Sequence, residues 1–131
     1  MKKKIYTLSG RERLKSSLKI GLLTNYNQFY HYPVKAYFNI PEMGHRSIKT
    51  AFTVPKKYFK KAVHRNLLRR RMKESFRLNQ FTISFSGSVE ILLVYISKKE
   101  ESFQVIDAAV RKILNDINKK AVSESGMVQE L

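Results

Sequence analysis

The chain contains no cysteine, which excludes disulfide scaffolds, thiol nucleophiles, redox pairs and cysteine-ligated zinc sites and is compatible with a reducing compartment. Long apolar runs are also missing. The longest, residues 89–96, is interrupted by Glu90 and falls far short of the roughly 20 residues that a membrane-spanning helix needs. Lysines at positions 2–4 look like the start of a secretory signal, but no apolar stretch follows them. A soluble, cytoplasmic protein is expected. Acidic residues are scarce, 10 against 26 Lys and Arg, and three of them, Glu12, Glu42 and Glu74, stand far apart in the basic part of the chain. No paired-carboxylate cluster of the kind that holds the two metal ions of a protein nuclease can be read from that spacing. His31, His45 and His64 lack metal-ligand spacing as well. There is no glycine-rich phosphate loop, no nucleophile motif and no internal repeat. These absences argue against a self-sufficient active site and against any metal or cofactor bound by the protein alone.

What remains is a binding protein of a particular sign. The 131 residues carry a formal net charge of +16 with 43% hydrophobic residues, enough for one domain that hides about two thirds of its unfolded surface. Residues 1–77 hold 20 basic and 3 acidic residues, or +17, whereas residues 78–131 hold 6 basic and 7 acidic, or −1. Charge spread for solubility would not segregate this way. A positive surface built to meet a polyanion does, with nucleic acid the leading candidate and an anionic membrane surface its competitor.

Residues 1–8 read as a basic arm. A short helix is expected within residues 9–25, started either by Ser9 with Glu12 as a capping box or by Ser16, with Leu14, Leu18 and Leu22 along one side. Residues 33–40 alternate, Val34, Ala36 and Phe38 against Lys35, Tyr37 and Asn39, and residues 47–54 repeat the pattern. With a turn over 41–44, an antiparallel pair is the simplest arrangement. Its less apolar face would carry Lys35, Tyr37, Lys49 and Thr53 together, either as a surface for a phosphate backbone and a stacked base or as an ordinary solvated face.

The spacing predicts a helix over residues 61–78, with Val63, Leu67, Leu68, Met72 and Phe76 as its buried stripe. Lys61, Arg65, Arg69, Lys73 and Arg77 recur every four residues, flanked by Arg70 and Arg71. Like charges at that spacing oppose one another by roughly 0.2–0.5 kcal/mol per pair, so something outside the helix is expected to neutralise the row. The alternative is an ordinary solvated face, but such faces usually mix signs and here only Glu74 offers an opposing charge. Residues 89–96 are apolar on both sides and predict a central strand. A last helix is expected from about residue 102, burying Phe103, Ile106, Val110, Ile113, Leu114 and Ile117, with an Asp107–Arg111 pair on its surface. Residues 121–131 are expected to fray. The order αββαβα gives an α+β sandwich, a small mixed sheet with helices packed on it.

Phe52, Thr53, Val54, Pro55, Lys56 and Lys57, followed by residues 61–74 (Lys-Ala-Val-His-Arg-Asn-Leu-Leu-Arg-Arg-Arg-Met-Lys-Glu), resemble the signature of the bacterial ribonuclease P protein component. That signature joins a Val-x-Lys-Lys strand end to an Ala-Val-x-Arg-Asn helix rich in arginine. The similarity covers nearly the whole chain apart from its ends. It implies the family's fold, of the kind also seen in the second domain of ribosomal protein S5, with a left-handed β-α-β crossover around the basic helix. It further implies an endoribonuclease in which a large RNA carries magnesium-dependent removal of the 5′ leader from precursor tRNA. The protein binds that RNA and the leader, with no membrane and no protein partner required and no catalytic residue of its own. By position, Lys56, Lys57, Lys61, Arg65, Asn66, Arg69, Arg70 and Lys73 fall on the catalytic-RNA motif, and Lys35, Tyr37 and Lys49 on the leader-binding cleft. Leu67 stands where many members have a basic residue, Lys73 where the family usually has arginine, and Ile20 and Leu23 where it often has aromatics. A ribosomal component or RNA chaperone would share the charge without any effect on leader cleavage.

Overall fold

A computed structural model of the chain describes residues 26–40, 47–83 and 87–125. The basic arm, the helix expected within 9–25, the turn over 41–44 and the end of the tail lie outside the described residues. Within them the order is β1 (Asn27–His31), β2 (Val34–Asn39), β3 (Ser47–Thr53), α1 (Ala62–Asn79), a 3-10 turn (Gln80–Thr82), β4 (Ser88–Tyr95) and α2 (Phe103–Ser125). The α+β class holds, with two corrections to the order of elements.

First, β1 precedes the two expected strands and forms a hairpin with β2, pairing Phe29 with Ala36 and Tyr30 with Lys35. The alternation is faint in the sequence because the core-facing set is Asn27, Phe29 and His31, of which only Phe29 is apolar. Partnership with β2, rather than burial of its own, makes it a strand. Second, the strands over 34–39 and 47–53 do not pair. The sheet order is β1-β2-β4-β3, with β4 antiparallel to β2 and parallel to β3. All eight residues of β4 are buried, and a strand apolar on both sides gains most from a central position, which a hairpin of its neighbours would deny it. The β3-α1-β4 connection is therefore a crossover between adjacent parallel strands.

Both helices contribute to the core on one sheet face, where Val34, Ala36, Phe38, Ile91, Leu93 and Tyr95 are buried. Leu68, Met72 and Phe76 of α1 and Ile106, Val110, Ile113, Leu114 and Ile117 of α2 meet them there. Val63 departs from the expected stripe and is 66% exposed; five residues before Leu68, it lies roughly 140° around the helix from it. Leu67 is only half-buried. Helix α2 starts beside Ser102, whose hydroxyl accepts from the Val105 amide, a serine cap. It runs to Ser125, so part of the stretch expected to fray is helical, and Ala121, four residues beyond Ile117 on the same stripe, is buried.

A polar bridge locks the two helices together. Asp107 of α2 accepts from Ser75 Oγ at 2.6 Å and Asn79 Nδ2 at 2.9 Å, both on α1, and from Arg111 at 2.6 Å, the expected surface pair. Burial raises the Asp107 pKa, and the hydrogen bonds from Ser75, Arg111 and Asn79 outweigh it, leaving the carboxyl below its ordinary value.

Candidate nucleic-acid interface

Among the described residues, most of the positive charge of the first part of the chain lies on α1 and on the loop that leads into it. After β3, Pro55 starts a turn closed by the Tyr58 amide on the Pro55 carbonyl, which brings Lys56 and Lys57 to the surface, both exposed. Lys57 Nζ lies 5.1 Å from the Tyr58 ring centroid. Phe59 packs edge-on against Tyr95 at 5.9 Å and pins the loop to the core. Helix α1 then begins without a side-chain cap and without an acid in its first turn, so the positive end of its dipole is left to the neighbouring lysines and to whatever anion approaches.

The row of cations at four-residue spacing does not act as a single stripe. Each four-residue step advances about 40° around a helix, so Arg65 sits beside the core and the later members turn outward. Arg65 is half-buried and its guanidinium donates to the Phe59 and Lys60 carbonyls, each at 2.8 Å. It is an internal strut. The sequence carried a signal for this, because Arg65 lies three and seven residues before Leu68 and Met72, on their side of the helix. Arg69 donates to Asn66 Oδ1 at 2.6 Å, which fixes the amide of Asn66 on the exposed side. Arg71 donates to the Glu101 carbonyl and ties α1 to the loop before α2. Arg77 is matched by Glu74 at 2.6 Å; the hydrogen bond from Arg77 keeps the Glu74 carboxyl below its ordinary pKa.

Lys61, Arg70 and Lys73 are left. All three are exposed and make no ion pair among the described residues. With Lys56, Lys57 and Asn66 they form an outward cationic surface that nothing within the described fold neutralises. Arginine at position 70 can take two phosphate oxygens at once, while the lysines act as mobile point charges.

The opposite sheet face presents the second set. Lys35, Tyr37 and Lys49 do share it, as expected, but not side by side. Across the strands the register gives one row of Tyr30, Lys35, Val94 and Thr53, a second of Gln28, Tyr37, Leu92 and Ala51, and a third of Asn39, Glu90 and Lys49. Lys35 Nζ lies 5.2 Å from the Tyr37 ring centroid, and Tyr37 packs on a buried apolar strip of Leu92, Val94 and Ala51. Lys49 stands on the far side of β4, next to buried Glu90, whose carboxylate accepts from the Tyr26 hydroxyl at 3.4 Å. The unanticipated β1 adds Tyr30, 55% exposed, in the same row as Lys35.

Of the three histidines, His31 and His64 are described, and each pairs with a carboxylate, while His45 lies outside the described residues. His31 meets Asp116 at 2.8 Å and His64 meets Glu100 at 3.0 Å, and among the described residues no three His, Asp or Glu side chains gather as metal ligands. No described helix is long and apolar enough to cross a membrane.

Comparison with known proteins agrees with the geometry. Curated protein sequences return no match. Among solved structures, the chain resembles a Thermotoga maritima RNase P protein in complex with 1-(4-fluorophenyl)-2-thiourea. The TM-score is 0.63 at 19% identity, over 79% of this chain and 95% of that one. A second T. maritima RNase P protein structure gives 0.62 at 21% identity, over 81% and 96%. The Staphylococcus aureus RNase P protein gives 0.60 at 16% identity, over 89% and 93%. At such identities the likeness speaks for the fold. The family profile of ribonuclease P matches residues 8–118, most of the chain, and with it the chain belongs to the ribonuclease P protein family, the RNA-binding subunits of a tRNA-processing ribonucleoprotein.

Proposed function

We propose that the outer face of α1, with the loop before it, binds the catalytic RNA, and that the open sheet face takes the 5′ leader of precursor tRNA. The observation that carries the first half is the unneutralised set Lys56, Lys57, Lys61, Arg70 and Lys73, with Asn66 available to a sugar or base edge. Arg65, Arg69 and Arg71 hold that surface in place through their bonds to Phe59, Lys60, Asn66 and Glu101. For the leader, Lys35 and Tyr37 supply a cation beside an aromatic ring, and Tyr30 extends the row; Lys49, beside Glu90, contributes less there.

In this reading the RNA would hold the magnesium ions that support hydrolysis of the phosphodiester, and the protein supplies binding surface alone. The protein lowers the metal requirement by neutralising phosphates where RNA and leader converge. Adding the protein to a catalytic ribonuclease P RNA at low magnesium is expected to reduce the metal concentration needed to cleave precursor tRNA. An unchanged magnesium requirement overturns the proposal and leaves a plain RNA-binding role.

A further inference from the structure

Between the outer side of β3 and helix α1 lies a cleft of about 630 Å³, within the size range of small-ligand sites. Part of its lining is aromatic. Phe52 and Phe76 line it with ring centroids 5.9 Å apart and planes at 70°. Arg70 and Lys73 border it from the helix and Lys49 from the strand edge. Glu74 is also at the rim, but Arg77 holds it in an ion pair at 2.6 Å.

One residue of the lining is out of place for a simple core. Thr50 sits between Ile48 and Phe52 on the core-facing side of β3, only 8% exposed, and its Oγ1 has no hydrogen-bond partner. A valine of the same shape would avoid that desolvation cost. Thr50 lines the cleft, and a step to another χ1 rotamer re-aims its hydroxyl. Among the described residues β3 is the last strand of the sheet and pairs only with β4, so peptide groups on its other side can meet the edge of a planar ligand.

Aromatic rings in the lining, an unused hydroxyl and cations that are unpaired among the described residues suit a nucleotide. We propose that the cleft receives one unstacked nucleotide, its base in contact with the exposed part of the Phe52–Phe76 pair, with the Thr50 hydroxyl on its edge and its phosphate held by Arg70 and Lys73. The proposal rests on the assignment of α1 to RNA and adds to it a selection for an unpaired base at one point of contact.

The probes are a ten-unit abasic ribose-phosphate strand, the same strand carrying one central adenine, AMP and ribose 5-phosphate. The single adenine is expected to raise affinity about tenfold for the wild-type protein, in line with stacking on aromatic side chains. Thr50→Val is expected to cut that gain to less than about threefold while melting at the same temperature or higher, since no bond is lost. Arg70→Ala is expected to weaken both strands alike. Preference for AMP over ribose 5-phosphate, with strands that bind equally, supports the pocket with a free nucleotide as its occupant. Equal binding within both pairs overturns it and leaves the assignment of α1 to RNA intact. Failure of the all-abasic strand to bind at all strikes that assignment instead, and the AMP pair then decides the cleft alone.

Discussion

Arg65 and Arg70 occupy the same basic motif but do different work, and alanine at each position separates the two roles. The Arg65 guanidinium donates to two backbone carbonyls at 2.8 Å. Hydrogen bonds from a charged donor are worth about 1.5–3 kcal/mol each, but here one nitrogen serves both acceptors and the site is half in solvent. A loss of about 2 kcal/mol is expected for Arg65→Ala, which for a chain of this size lowers Tm by roughly 8 °C. Among the described residues Arg70 has no partner to lose, and its removal from an exposed helix face is expected to stay within about 0.5 kcal/mol, or roughly 2 °C. On a catalytic ribonuclease P RNA the order reverses. Arg70→Ala is expected to reduce the slope of log affinity against log salt by about one unit. Arg65→Ala is expected to weaken binding mainly by loosening the loop that presents Lys56 and Lys57, with little change of slope. Thermal melts by circular dichroism and salt-dependent RNA titrations give both numbers. If Arg65→Ala melts like wild type and loses a full unit of slope, the strut is wrong and Arg65 is a phosphate contact; if Arg70→Ala melts far lower, that side chain is not free.

Two further outcomes follow from the core and the interhelical bridge. The Asp107 carboxyl is held below its ordinary value, so its contribution is present above the unfolded aspartate pKa of about 3.9 and is lost as pH falls through the lower folded value. Asp107→Asn is expected to melt below wild type at pH 6, with the gap closing toward pH 3; a gap that does not change with pH removes the carboxylate from the bridge. Leu93, fully buried on the helix-covered face, is expected to abolish the cooperative transition when changed to Asp. Val94→Asp, 7% exposed on the other face and opposite Lys35, is expected to fold with a lowered Tm. Equal melting of these two variants refutes the assignment of faces in β4.

Much of the molecule was legible in one dimension because it depends on local repetition. The two-residue alternation of 34–39, the apolar run of 89–96 broken only by Glu90 and the helical spacing of Leu68, Met72 and Phe76 are patterns of single elements, and they marked β2, β4 and α1. The motif of residues 52–74 likewise pointed to the family before any coordinate. β1 was lost because its one apolar core residue, Phe29, makes no pattern by itself; it becomes a strand only beside β2.

Composition and spacing alone thus determined the sign of the charge, its confinement to the first part of the chain and the elements that carry it. Which cations remain available was decided by the tertiary fold. Arg65, Arg71 and Arg77 are consumed by carbonyls and by Glu74, while Arg70 and Lys73 find no ion-pair partner among the described residues and stand beside the β3 cleft. The placement of Lys35, Tyr37 and Lys49 was decided in the same way, by β4 inserting between β2 and β3. Hydrogen bonds and strand neighbours join residues far apart in the chain, and a one-dimensional pattern holds no record of which distant partner each group will meet.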